Sequence, residues 1–425
     1  MGILFVICCI AFLDMTASSM VTTVFSSYLK ESVGLSATVA GSIMSIYGTV
    51  QLFSSPYFGS IGDMYGYRRV LVFTLLACSP AYLLLGLANL VAIIVLARIA
   101  CGIFKHTQNL LKTIISPQLT TTKKLDAFGR INATGNAGFV FGPFLSGHIA
   151  EGLGYQFVFV ISAGIYLVTA MLVFSLLPKN DSPCATKLLN DGPRIALPLE
   201  AQTFCKMLQT ITCRFKQSII HFVTELKSID WMKHYDLLTV RFLLSFAVLI
   251  YRSNLSWVLR EPPFVLSQRE LGCLISVQGA VSLISSLLTK SLCQIFETSL
   301  KCFTVATVTL IAALAGLAFT TTVGSYVLLL CILCTAASVL RVVSYELAAE
   351  RSKPSEAGLL NGVTVSFVSL ARASNPTIGG ILHHAVPCGP VVGGLAAAAI
   401  ALLLFVLITI RKQESLVDKT KVKKT

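Results

Sequence analysis

The sequence predicts an all-α integral membrane protein of about twelve spanning helices, arranged as two similar six-helix halves. Three observations lead there. The 425 residues are 55% hydrophobic and only 12% charged, with a mean hydropathy of +0.79, which is far too apolar for a soluble chain of this length. Apolar runs of about 20 residues, enough to cross a bilayer, recur along the whole chain. Finally, a glycine-rich segment from Gly129 to Gly147 returns from Gly362 to Gly380. Gly362 answers Gly129, Pro376 answers Pro143, Gly379 answers Ser146 and Gly380 answers Gly147, all at one offset (362 − 129 = 233). Coincidences in register mark a duplicated chain, and small residues let helix backbones touch in lipid.

Spans are expected near 3–27, 37–60, 70–88, 90–113, 129–150, 154–177, 237–259, 270–290, 301–321, 324–346, 357–382 and 388–410. Residues 1–177 would form an N-terminal bundle and 237–410 a C-terminal one, with a cytoplasmic linker at 178–236 and a basic cytoplasmic tail at 411–425. The net charge of +14 reads as topology rather than nucleic-acid binding, because its placement alternates. Arg68, Arg69, Lys123, Lys124, Lys290, Lys301, Arg351, Lys353 and the tail from Arg411 to Lys424 fall on one side, against Lys30, Arg260 and Arg269 on the other. Both termini are therefore expected in the cytoplasm, with plasma membrane and endomembrane both open.

The first span puts Asp14 near mid-membrane, where a carboxylate costs about 2.5 to 3.5 kcal/mol. It needs a partner or a proton; the alternative is a neutral, hydrogen-bonded Asp that pins helix packing. With no basic segment ahead of it, this helix is expected to act as its own, uncleaved signal. The fourth span carries Arg98, Gly102, Lys105, His106, Asn109 and Lys112, and spacings of seven bring Arg98, Lys105 and Lys112 to one helix face. Lys112 can snorkel to the interface, whereas Arg98 and Lys105 are deep enough to line a wet cavity.

In the linker, Phe204, Leu208, Ile211, Phe215, Ile219, Phe222, Leu226 and Ile229 repeat among Lys206, Arg214, Lys216 and Lys227. That is the pattern of a basic amphipathic helix lying on anionic lipids of the cytoplasmic leaflet, with a protein-binding helix as the alternative. Trp231 and Trp257 frame the seventh span and would stand roughly 39 Å apart at about 1.5 Å per residue, as two aromatic belts would. Arg252 in this span and Arg372 in the eleventh are further cavity candidates, with simple pairing or snorkelling as the alternative; Arg241 and Glu346 sit near cytoplasmic ends. The thirteen cysteines lack zinc or disulfide spacing and read as small apolar residues. His383 and His384 lack companion ligands, so neither a metal nor a cofactor is expected. Asn132, Asn180 and Asn254 head glycosylation sequons but are expected in the membrane or the cytoplasm, without sugar.

Between the second and third spans, Gly59, Asp63, Gly66, Arg68 and Arg69 form a G-x-x-x-D-x-x-G-x-R-R run that resembles the signature loop of the major facilitator superfamily. Arg98 with Gly102 is similar to the helix-four arginine motif of its proton-coupled members. Gly129, Gly138, Gly142, Pro143 and Gly147 resemble its antiporter motif, with Ser146 replacing one of a glycine pair, and Gly362, Pro376, Gly379 and Gly380 are the echo in the second half. Bacterial tetracycline/proton antiporters share these motifs. The resemblance implies two six-helix bundles, a substrate site between them near the midplane, alternating access, and a contact of the loop acid Asp63 with the cytoplasmic end of the eleventh helix near Ser355.

No G-x-x-x-x-G-K-[ST] loop is present, so a solute or ion gradient is the expected driving force. No H-E-x-x-H or G-x-S-x-G constellation suggests an enzyme. Asp14 and His106 are the candidates for proton coupling, including proton-coupled antiport. Because Arg98, Lys105, Arg252 and Arg372 outnumber Asp14, the expected substrate is a small organic solute, anionic or neutral. A transport-inactive scaffold or sensor on the same fold is the rival reading.

Overall fold

The computed structural model describes residues 2–88, 90–115, 121–177, 224, 231–296, 298–351, 357–386 and 388–422. Regular structure among the described residues is helical throughout: α1 (Ile3–Glu31), α2 (Ala37–Tyr65), α3 (Tyr67–Leu87), α4 (Val91–Phe104), α5 (Thr107–Ile115), α6 (Thr121–Leu153), α7 (Tyr155–Leu176), α8 (Trp231–Ser253), α9 (Leu255–Leu259), α10 (Gln268–Ile295), α11 (Ser299–Phe319), α12 (Val323–Arg351), α13 (Ala357–Ala385) and α14 (Gly389–Val422). With α4 and α5 in one crossing and α8 and α9 in another, these supply twelve crossings. Eight are long and apolar enough to span a membrane on composition alone. The others, α2, α6, α8 and α13, are diluted by residues such as Gln51, Asn136, Arg241 and Asn375. On α7, Phe157, Val160, Val168, Met171 and Phe174 are exposed at helical spacing. In water such a stripe would be an aggregation liability, and in hydrocarbon it is an ordinary helix surface.

Contacts divide the chain into two compact units. The first comprises Met1–Gly34, Ile46–Leu226 and Ser267–Gly279; the second comprises Leu35–Ser45, Lys227–Leu266 and Ala280–Thr425. In the first, α1 packs along α6 and α7, and α3 packs on α7 and α4. In the second, α8 packs along α13 and α14, and α11 packs on α14 and α12. The pattern repeats element for element, as a duplicated chain requires.

Two connections shrink to a single glycine. Gly66 at φ +87° joins α2 to α3 and Gly154 at φ +97° joins α6 to α7, in a region that L side chains adopt only with strain. This gives the second glycine of the signature loop a physical reason.

The glycine seam of α6 lies against α1. A Cβ on Gly138 would strike the Phe12 carbonyl and come within 2.9 Å of Thr16 Oγ1, and one on Gly142 would meet the Thr16 carbonyl at 2.7 Å. Ser19 adds a hydrogen bond to the Gly138 carbonyl at 3.3 Å. Further along, a Cβ on Gly147 would come within 2.8 Å of the Gln268 carbonyl, while Gly272 faces the carbonyl of Pro143. The second unit makes the same contact with α13 and the start of α2: Gly380 faces the Ala37 carbonyl, and Gly41 faces the carbonyl of Pro376. In both copies the proline and glycine stand four residues apart, as do their two partners.

Several expectations need correction. The fourth span is not one continuous helix, because α4 stops at Phe104 and α5 begins at Thr107. The basic stripe through Arg98, Lys105 and Lys112 therefore does not form. The seventh span breaks at Asn254, whose side-chain amide donates to the Ile250 carbonyl at 2.9 Å and competes with the helical bond there. Trp257 is no belt residue: it is 5% exposed and its ring centroid lies 5.7 Å from that of His383. The amphipathic repeat from Phe204 to Ile229 lies outside the described residues, Thr224 aside, as does the expected contact of Asp63 with the region near Ser355.

Candidate functional site

The break between α4 and α5 has a visible cause in α2. A continuous helix would have used the Gly102 and Lys105 carbonyls for the amides of His106 and Asn109. Instead, His106 N–H donates to the Phe104 carbonyl at 2.9 Å and Asn109 N–H to the His106 carbonyl at 3.1 Å. The released carbonyls are taken by α2 side chains: Ser54 Oγ donates to Gly102 at 3.0 Å and Gln51 Nε2 to Lys105 at 2.6 Å. Two of the carbonyls freed at the break are thus satisfied from α2, which buried backbone demands. Gly102 allows α2 this close, because a Cβ there would lie 2.9 Å from the Tyr47 carbonyl and 2.8 Å from Val50 Cβ.

The interruption turns Lys105 toward α1. Its ammonium forms an ion pair with Asp14 Oδ1, with the lysine 6% and the aspartate 0% exposed. Gln108 Nε2 donates to the other carboxylate oxygen at 3.3 Å, and Tyr166 on α7 donates its hydroxyl to the Asp14 carbonyl at 3.4 Å. The Tyr166 ring also faces the ammonium, 4.8 Å from Nζ, and stacks on Tyr82 at 4.9 Å. A buried pair of this kind balances desolvation against Coulomb attraction, and removing one partner is far costlier than removing both. His106, the other titratable candidate, shares a hydrogen bond between Nε2 and Ser54 Oγ at 2.8 Å and lies 5.0 Å from the Phe58 ring centroid.

Arg98, one turn before Gly102, is 8% exposed. Its guanidinium carbon lies 4.2 Å from the Phe25 ring centroid and 5.0 Å from that of Tyr47, and its Nε is buried without a hydrogen-bond partner among the described residues. Cation–π contact substitutes for a carboxylate here. Asn109 and Arg372 are exposed on their helices, and Arg252 is half-buried in the second unit. Arg68 of the signature loop donates to the Phe174 carbonyl at the end of α7 and lies 5.6 Å from that residue's ring, while Arg69 is exposed. In the second copy of the seam, Gly379 is overlain by the Asn254 amide, which explains glycine where the first copy has Ser146. His383 pairs with Glu261 at 3.0 Å.

Asp14, Lys105, Arg98 and His106 were candidates from the sequence, whereas Gln108, Tyr166, Gln51 and Ser54, which bond to them or to the break beside them, were not. Gln108 stands three residues after Lys105, a spacing that could have flagged it. Tyr166 carried no signal beyond a polar tip in an apolar run.

The sequence profile of the Major Facilitator Superfamily matches residues 7–255. Human solute carrier family 67 member A1 is 24% identical over 389 residues, covering 89% of this chain and 86% of that protein. The class H tetracycline resistance protein of Pasteurella multocida is 26% identical over 186 residues, 43% of this chain and 46% of its own. The crystal structure of the human organic anion transporter MFSD10 (TETRAN) superposes with a TM-score of 0.64 at 16% identity, covering 95% of this chain and 98% of that one. With a matching profile over more than half its length, the chain belongs to the Major Facilitator Superfamily, a multi-pass membrane protein built as that family's transporters are.

Proposed function

We propose that the protein is a secondary transporter that moves a small organic solute, anionic or neutral, by alternating access with both termini in the cytoplasm. The single observation that carries this reading is the buried Asp14–Lys105 pair at the break between α4 and α5. A charge pair in the membrane interior is expensive and marks function by default. Asp14 would carry the coupling proton, with His106 as the second titratable group. Arg98 and Lys105 place two cations against one carboxylate in the first unit, which favours anions and disfavours cationic drugs; Arg252 and Arg372 would add to that balance. Proton-coupled antiport draws support from the antiporter-like seam and from the partial likeness to tetracycline resistance proteins. The runs Tyr47–Ser55, Gly102–Thr107 and Val240–Asn254 also look like those of major facilitator superfamily domain-containing protein nine.

Purified protein in proteoliposomes, loaded with a pH-sensitive dye and offered a metabolite panel, tests this. Saturable, gradient-dependent movement of an anionic or neutral solute that Asp14→Asn uncouples from pH is expected. Uptake of an organic cation abolished by Asp14→Asn but indifferent to Arg98→Ala would overturn the substrate class. The rival reading, a transport-inactive scaffold or sensor, gains if no solute moves under any gradient.

A further inference from the structure

At the C-terminal end of α6, away from the charge pair, His148 and Glu151 bond to the first turn of α10. Arg269 donates from Nε to His148 Nε2 at 2.9 Å, and its backbone N–H donates to Glu151 Oε2 at 2.8 Å. His148 Nδ1 lies 2.8 Å from the Phe144 carbonyl. A carbonyl only accepts and a guanidinium only donates, so the two partners fix the ring as the neutral tautomer with hydrogen on Nδ1. Nothing in this arrangement tolerates a second ring proton. Protonation would turn Nε2 from acceptor to donor, facing another donor and another positive charge at hydrogen-bond distance.

From this we infer that His148 is a proton-operated latch between α6 and the start of α10, closed when the ring is neutral and released when it is charged. The protonated ring has an anionic acceptor one turn along its own helix: Glu151, at the i, i+3 spacing where side chains meet. The exchange is from two bonds that cross to α10 to one bond within α6. Other charged groups described at this end have partners of their own. Glu270 accepts from the Ser267 amide at 2.8 Å in the first turn of α10. On the helices packed on α6, Tyr155 of α7 donates to Glu31 at the end of α1 at 2.7 Å, with Lys30 beside it. The Arg269 amide, with smaller contributions from the Ser267 side chain and the Arg269 charge, holds the Glu151 carboxyl below the usual range. Glu151 therefore stays ionised where histidines ordinarily titrate, between about pH 5 and 8. Just beyond the latch lies the close approach of Gly147 to Gln268 and Gly272, so release acts on a contact that has no side chains to absorb movement.

Backbone hydrogen exchange of the full chain in lipid nanodiscs, corrected for the intrinsic pH dependence of exchange, tests the latch without needing a transported solute. In the wild type, amides of Arg269 to Gly272 should lose roughly fivefold in protection between about pH 8 and pH 5.5, the ratio expected when one net hydrogen bond is lost. His148→Gln, which accepts but does not charge, should stay protected at both values, and His148→Lys should be unprotected at both. Equal wild-type protection at the two pH values would overturn the proposal whatever the variants do, as would a His148→Gln profile that keeps the wild-type drop. Because the readout is local, a protein that transports nothing can still carry the latch, and a transporter can lack it.

Discussion

Asp14 and Lys105 test how much of this molecule is set by single residues. Lys105→Met leaves a carboxylate buried without a cation, and a loss of about 3 to 5 kcal/mol is expected. Combining it with Asp14→Asn should restore most of that stability while ending any proton coupling. Thermal unfolding in detergent of the two single variants and the double variant measures the interaction directly, and additive losses would mean that the two groups do not act as a pair. Glycines separate in the same way. A Cβ added at Gly129 would meet nothing within 4 Å, so Gly129→Ala should be nearly neutral. Gly142→Ala pushes into the main chain of α1 and should cost about 1 to 3 kcal/mol. Asp14 was legible in the sequence because a carboxylate in an apolar run is conspicuous. Gln108 and Tyr166 were not, because what they do depends on which helix faces them.

At the scale of elements, the twelve crossings were legible because apolar runs and polar connections alternate along the chain. The two interruptions were not. Neither Lys105 nor Asn254 has a proline beside it, and the first break depends on α2 supplying Ser54 and Gln51 to carbonyls that a continuous helix would have used. Replacing both with Ala leaves two buried carbonyls unmet, at about 1 to 3 kcal/mol each if the break persists. The expected outcome is that α4 and α5 fuse, Lys105 turns away from Asp14, and amide exchange slows at His106 and Asn109. Unchanged exchange there would show that α2 does not maintain the interruption.

For the whole molecule, the duplication read from a few glycines and prolines extends to contacts. Gly272 against the Pro143 carbonyl and Gly41 against the Pro376 carbonyl are the same arrangement made once in each unit. If the copies are equivalent in use as well as in form, Gly41→Val and Gly272→Val should impair solute movement in proteoliposomes to a similar degree, with expression of both compared to the wild type. One silent variant and one dead variant would show that the halves have parted in role. The division of the chain into units was only partly legible, since the first turns of α2 and α10 join the unit that supplies their glycine contact rather than the one that supplies most of their sequence neighbours.

The place where α4 gives way to α5 carries a last implication. A rigid rod would pass any disturbance at its middle equally to both ends, whereas a joint confines it to one arm. The ammonium that neutralises Asp14 hangs from the residue at that joint, so under the proposed coupling a proton arriving on the carboxylate would loosen the knuckle from which Thr107–Ile115 departs. On that proposal charge and leverage would be vested in one lysine, and a substitution that preserved its charge but straightened the backbone beneath it would keep the chemistry and lose the motion.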